Sequence, residues 1–214
     1  MKRLLALIVC GLFVWVGAAH GQSDNTAIAV NTKDGSSLFK LSFRITRVMG
    51  DTVDTGNAAV AYASCTDCQT TALALQFVLV MSEPDVFTPE NLALAMNVDC
   101  SLCDTLASAY QFVLQSDGPV HLTPDGKKRL QEIRKELAAL KDSGLGSFEL
   151  QAKVDALAEE AYQVMATSLV PAGKSSVPTT SEPSSTSTST TSTSTSTSTT
   201  TSSTSTTTTS TTAP

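Results

Sequence analysis

A chain of 214 residues with formal net charge −6 has room for one ordinary domain between its biased ends. Without Lys2 and Arg3, in the apolar leader, 12 basic residues face 20 acidic ones, a net of −8, which argues against nucleic acid or an anionic membrane as a partner. Only 5% of the residues are aromatic, so the core should be built from Ala, Leu and Val in closely approaching elements.

Residues 1–21 read as a signal peptide. Met1-Lys2-Arg3 precedes an apolar run from Leu4 to Ala19, shorter than the ~20 residues that span a bilayer and followed at once by small residues. Cleavage after Gly21 is expected, with loss of Cys10 and no transmembrane anchor left. Export follows from this reading.

A single α+β domain is expected over 22–170. From Asn25 to Ser64 the apolar period is near two. Asp34-Gly35 reads as a hairpin turn, Phe39, Leu41, Phe43 and Ile45 alternate with polar residues, and Asn57 to Ala63 can form a third strand. The economical arrangement is a small antiparallel β-meander with one apolar face.

A stretch that occurs twice comes next. Cys65 to Leu79 and Cys100 to Leu114 both fit C-x-x-C-x-T-x-A-x-A-x-Q-F-V-L at an offset of 35, the mark of a duplicated unit. In the second copy the polar Ser101, Asp104, Thr105, Ser108 and Gln111 fall at helical spacing opposite Leu102, Leu106, Tyr110 and Val113. The repeat is therefore expected to be a duplicated C-x-x-C helix, although the large residues of Leu73 to Met81 also alternate. Thr88-Pro89-Glu90 predicts a helix start before Leu92 to Met96, and Thr123-Pro124-Asp125 another before Lys127 to Lys141. Leu130, Ile133, Leu137 and Leu140 then form one apolar stripe. After Gly144 and Gly146 come Leu150, Val154, Leu157, Ala161, Val164 and Met165 on a second helix. The pair reads as a C-terminal αα-hairpin whose stripes are core.

Over residues 171–214, 34 of 44 are Ser or Thr. Such a tail cannot build a core and is expected to be disordered, either an O-glycosylated stalk or an unmodified flexible segment.

Four cysteines carry the chemistry that the sequence offers: Cys65, Cys68, Cys100 and Cys103, two C-x-x-C pairs separated by 31 residues. In an exported chain an even set favours disulfides. Four cysteines allow three pairings; bridges between the copies would stabilise by ~2 to 4 kcal/mol each, whereas bridges within each C-x-x-C close tiny loops. Two other chemistries compete. Four thiolates suit a tetrahedral zinc ion, though the gap exceeds that of common zinc ribbons. C-x-x-C at a helix start suits thiol redox catalysis, though Asp67 and Asp104 would oppose a thiolate. Hydrolytic chemistry has little to stand on. His121 is the one histidine certain to remain after processing, no H-E-x-x-H or G-x-S-x-G occurs, and Glu132, Glu136, Asp155, Glu159 and Glu160 read as solvated helix charges. No catalytic residue, cofactor or metal ligand is assigned.

The segments Asn57 to Cys68 and Cys100 to Phe112 resemble a domain of uncharacterised exported bacterial proteins with paired C-x-x-C segments, some of them labelled peptide zinc metalloprotease. The resemblance covers about residues 25–170. It implies an exported accessory module; the metal-binding helix that a protease requires is absent from this chain, so no catalytic role is carried over. The expected function is a secreted or cell-surface, non-catalytic binding or structural module with an extracellular partner, stapled by two disulfides. The alternative is a zinc-binding or thiol-redox protein using the same four cysteines.

Overall fold

The computed structural model describes residues 24–173; the leader and nearly all of the Ser/Thr tail lie outside the described residues. Among the described residues ten strands, two α-helices and a short 3-10 turn (Leu140–Asp142) follow one another. β1 (Asn25–Asn31), β4 (Gly56–Ala63) and β7 (Glu90–Asn97) form one sheet, and β2 (Ser37–Val48), β5 (Gln69–Val80) and β8 (Asp104–Gln115) form a second. Every pair within these two sheets is parallel and in register: Asn25 beside Asn57 beside Asn91, and Lys40 beside Ala72 beside Ala107. A short parallel pair, β3 (Thr52–Val53) with β6 (Val86–Phe87), extends the stack.

The chain thus winds through three coils, each laying one strand in the first sheet, turning a corner and laying the next strand in the second. The result is a short parallel β-solenoid. The offset between equivalent residues is 32 from the first coil to the second and 34 or 35 from the second to the third. This overturns three expectations. The N-terminal segment is not an antiparallel meander, because β1 and β2 belong to different sheets and Asp34-Gly35 turns a corner between them. The duplicated stretch is not a helix; its copies are β5 and β8, lying side by side. Leu92 to Met96 is not helical either and belongs to β7.

Alternation decides the strand. Ala72, Ala74 and Gln76 face the first sheet, while Leu73, Leu75, Phe77 and Leu79 face the opposite way, the period of two that a strand requires. Between the sheets Ala27, Ala29, Ala59, Ala61, Ala72 and Ala74 form a thin core of small side chains. The other face of the second sheet carries the large residues. A run of rings, Phe43, Phe77, Phe112 and Tyr162, crosses it with centroid separations of 6.0, 5.2 and 5.1 Å.

Two helices cover that face: α1 (Pro124–Ala139) and α2 (Ser147–Ser168). Leu130, Ile133 and Leu137 of α1 and Leu150, Val154, Ala158, Ala161 and Met165 of α2 are buried against it. Thr123 caps α1, its hydroxyl accepting from Gly126 N at 3.1 Å. α2 has no side-chain cap of its own at Gly146. Its first amide, Ser147 N, instead donates to Asp104 Oδ2 of β8 at 2.8 Å, a carboxylate at the positive end of a helix. The helices run in opposite directions, since Thr123 N donates to Ser168 O at 2.9 Å. Arg129 of α1 ties them together, bonding Glu132 and Glu136 on its own helix and Glu160 on α2. Glu136, then Glu160, hold its proton more tightly than usual. A ribbon of β9 (Val120–Leu122) and β10 (Leu169–Pro171) closes the helical unit.

One polar seam lies between sheet and helix. Tyr110 donates to Asp155, Ser108 donates to Gln151, and Gln151 Nε2 lies 2.6 Å from the Tyr110 hydroxyl. Burial, and then the bond to Asp155, push the Tyr110 phenol above its usual range. A group whose proton is held more tightly in the folded state contributes fully below its unfolded value, about pH 10, and loses that contribution as the pH rises toward the folded value. Unfolding free energy measured by denaturant titration should therefore fall from about pH 10 upward, and more steeply than in Tyr110→Phe.

Candidate functional site

The four cysteines meet at the corner between the two sheets. All three coils make the same turn there, with one residue in the left-handed region: Gly35 at φ 63°, Asp67 at 53° and Leu102 at 55°. Backbone bonds join the corners, Gly35 N to Thr66 O at 2.9 Å and Asp67 N to Ser101 O at 2.8 Å. Lys33-Asp34-Gly35-Ser36 in the first coil therefore occupies the place of Cys65 to Cys68 and of Cys100 to Cys103. In that first corner Ser36 Oγ donates to Lys33 O at 2.6 Å, a hydrogen bond where the other coils have sulfur.

Cys65 is bonded to Cys68 and Cys100 to Cys103. The sequence leaves three pairings open, with bridges between the copies the more stabilising; the observed bridges lie within each copy. The reason is the turn, which brings residues three apart to Cα separations of 6.2 and 6.0 Å, inside the range that a disulfide spans. Parallel stacking then places one bridge directly over the other, because equivalent residues of neighbouring coils are about 4.8 Å apart. All four sulfurs lie within 4.8 Å of one another, and Cys68 Sγ is 3.5 Å from Cys103 Sγ. The two bridges differ in access. Cys65 and Cys68 are each 4% exposed, whereas Cys100 and Cys103 are half-buried.

A shallow cleft of about 290 Å³ opens beside the corner, lined in part by Ser36, Asp67, Cys68, Gln69, Leu102 and Asp104. Reduced, the four thiolates would supply a complete set for a tetrahedral zinc ion; bonded in pairs, they offer none.

Leu102 holds its left-handed conformation while 81% exposed, so its side chain gains little burial in return for the strain. Leu102→Gly restores the residue used in the first coil. It should raise the unfolding free energy by about 0.5–1 kcal/mol, the relief of strain less the backbone entropy of glycine, as read by urea titration.

The other residues that the sequence singled out stand apart from the corner. His121 is exposed on β9, with Val170 of β10 opposite. Glu132, Glu136 and Glu160 converge on Arg129, Asp155 serves Tyr110, and Glu159 accepts from Gln163, so these five are partnered rather than simply solvated. Two polar ladders escaped the sequence reading. Asn25 Nδ2 donates to Asn57 Oδ1 and Asn57 Nδ2 to Asn91 Oδ1, each at 2.8 Å, and Gln111 Nε2 donates to Gln76 Oε1 at 2.9 Å. The recurrence of Asn at 25, 57 and 91, each two residues before an alanine, was the available signal.

The fold and the corner together define a short parallel β-solenoid with a helical flank and a stacked pair of C-x-x-C bridges. No protein-family model, curated protein or solved structure matches the chain. Among the described residues no helix is long and apolar enough to cross a membrane.

Proposed function

We propose that this chain is an exported, non-catalytic structural or binding module that acts at or beyond the cell surface. The observation that carries the reading is the pair of oxidised C-x-x-C corners, since stable disulfides belong to oxidising compartments. The basic, apolar start and the Ser/Thr-rich end of the sequence support export and a surface location, and the resemblance to exported bacterial domains points the same way. The module's rigidity comes from in-register stacking, with the bridges fixing two of its three corners. Intact mass of the exported protein under non-reducing conditions tests this. The expected mass is that of the chain lacking four hydrogens, with no thiol open to alkylation.

A second reading, favoured by the approach of all four sulfurs to within 4.8 Å, is a zinc-binding or thiol-redox protein. Free thiols with one zinc ion per chain would replace the first reading with the zinc form of this one.

A further inference from the structure

We propose that the two stacked bridges form a thiol–disulfide relay, in which a dithiol reductant enters at Cys100–Cys103 and its electrons pass to the buried Cys65–Cys68. The proposal rests on the oxidised state of the corner in the exported module. Exchange proceeds by thiolate attack on a disulfide sulfur through a mixed disulfide, and its rate depends on access. The half-buried bridge is the accessible one, and the bridge beneath it is 4% exposed at both cysteines. Cys68 Sγ and Cys103 Sγ, one from each bridge, already stand 3.5 Å apart. An arriving thiol therefore meets Cys100–Cys103 first, and the sulfur it frees lies beside the second bridge.

The steps balance without any other reagent. A thiolate of the external dithiol attacks Cys100 Sγ, the Cys100–Cys103 bond breaks, and Cys103 leaves as a thiolate. The reductant's second thiolate attacks its own sulfur in the mixed disulfide, closing the oxidised reductant and releasing the Cys100 thiolate. Cys103 then attacks Cys68 Sγ; the Cys68–Cys103 bond forms, the Cys65–Cys68 bond breaks, and Cys65 leaves and takes up a proton. Finally Cys100 attacks Cys103 Sγ, re-forming its own bridge and releasing Cys68, which also takes up a proton. The net result is one dithiol oxidised, one buried bridge reduced and the outer bridge restored. Both bridges close loops of the same length, so loop-closure entropy does not set one against the other.

Two variants test the relay. In Cys65→Ala/Cys100→Ala only Cys68 and Cys103 remain at the corner, and oxidation should join them within one chain, as found by peptide mapping. Two thiols that stay free to alkylation, or bridges between chains, would overturn the proposal. In Cys100→Ala/Cys103→Ala, reduction of Cys65–Cys68 by dithiothreitol should slow at least tenfold relative to the natural chain; an unchanged or faster rate contradicts the relay. Both arms are run on protein oxidised in vitro. Free thiols in the exported protein would then count against the proposed oxidised state, while these arms still decide whether the sulfurs exchange.

Discussion

Phe77→Ala should lower the unfolding free energy by about 3–5 kcal/mol, measured by urea or guanidinium titration. Phe77 is wholly buried at the centre of the second sheet, with Phe43 and Phe112 as ring neighbours and both helices beyond. Its loss removes apolar surface from the core and leaves a cavity that the flanking strands, held in register on both sides, cannot collapse to fill. For a domain whose net stability is of order 5–15 kcal/mol this is a large fraction. Phe148→Ala, at a position 87% exposed, should change stability by less than about 0.5 kcal/mol.

Asn57→Ala should cost about 2–4 kcal/mol in the same experiment. The Asn57 amide is 2% exposed, accepts from Asn25 and donates to Asn91, to Tyr110 O at 3.0 Å and to Ala74 O at 3.3 Å. Alanine leaves the Asn25 amide and the facing carbonyls without these partners between the two sheets, where water does not replace them. Asn91→Ala removes the end of the same ladder on an exposed strand, where solvent can take over the lost bonds, and should cost about 1 kcal/mol or less. A ladder that acts as a unit predicts this inequality. Equal costs at the two positions would mean that the central amide is not held as the stack requires.

The sequence carried the repeat but concealed its period and its copy number. The offset of 35 between β5 and β8 was visible because a C-x-x-C stands immediately before each. The first coil was hidden because Lys33-Asp34-Gly35-Ser36 makes the same corner with a hydrogen bond in place of sulfur. Polar residues on β8 suggested a helical face; Ser108 is polar because it meets Gln151 of α2, so a covered side of the strand carries a hydroxyl. The alternation of Ala72, Ala74 and Gln76 with Leu73, Leu75 and Phe77 was the stronger signal, and it marks the strand.

Two tripeptides show how the same local chemistry reaches different ends. Thr88-Pro89-Glu90 and Thr123-Pro124-Asp125 both read as helix starts, yet only the second begins one. At the first, Thr88 N donates to Val53 O and Glu90 N to Thr55 O, so the ladder uses alternate amides and Pro89 sits where none is required. The residues downstream of each tripeptide decide the outcome. Leu92, Leu94 and Met96 recur every second residue, whereas Leu130, Ile133 and Leu137 keep the helical spacing. The helical stripes were therefore legible from Lys127 onward, and their buried residues are largely those that the spacing marks. The sequence placed the cysteines at helix starts, whereas they stand at corners between strands. Their approach across coils was not legible, since it depends on the parallel register and on no local feature of either C-x-x-C.

The central claim is that three coils stack in parallel register, and interstrand proton contacts in solution test it most directly. Nuclear Overhauser contacts of the Ala72 backbone should reach both Lys40 and Ala107, with the same pattern continuing through Gln76 to Arg44 and Gln111. Contacts that instead pair Asn25–Asn31 with Ser37–Val48 in opposite directions, or helical contacts within Gln69–Val80, would contradict it.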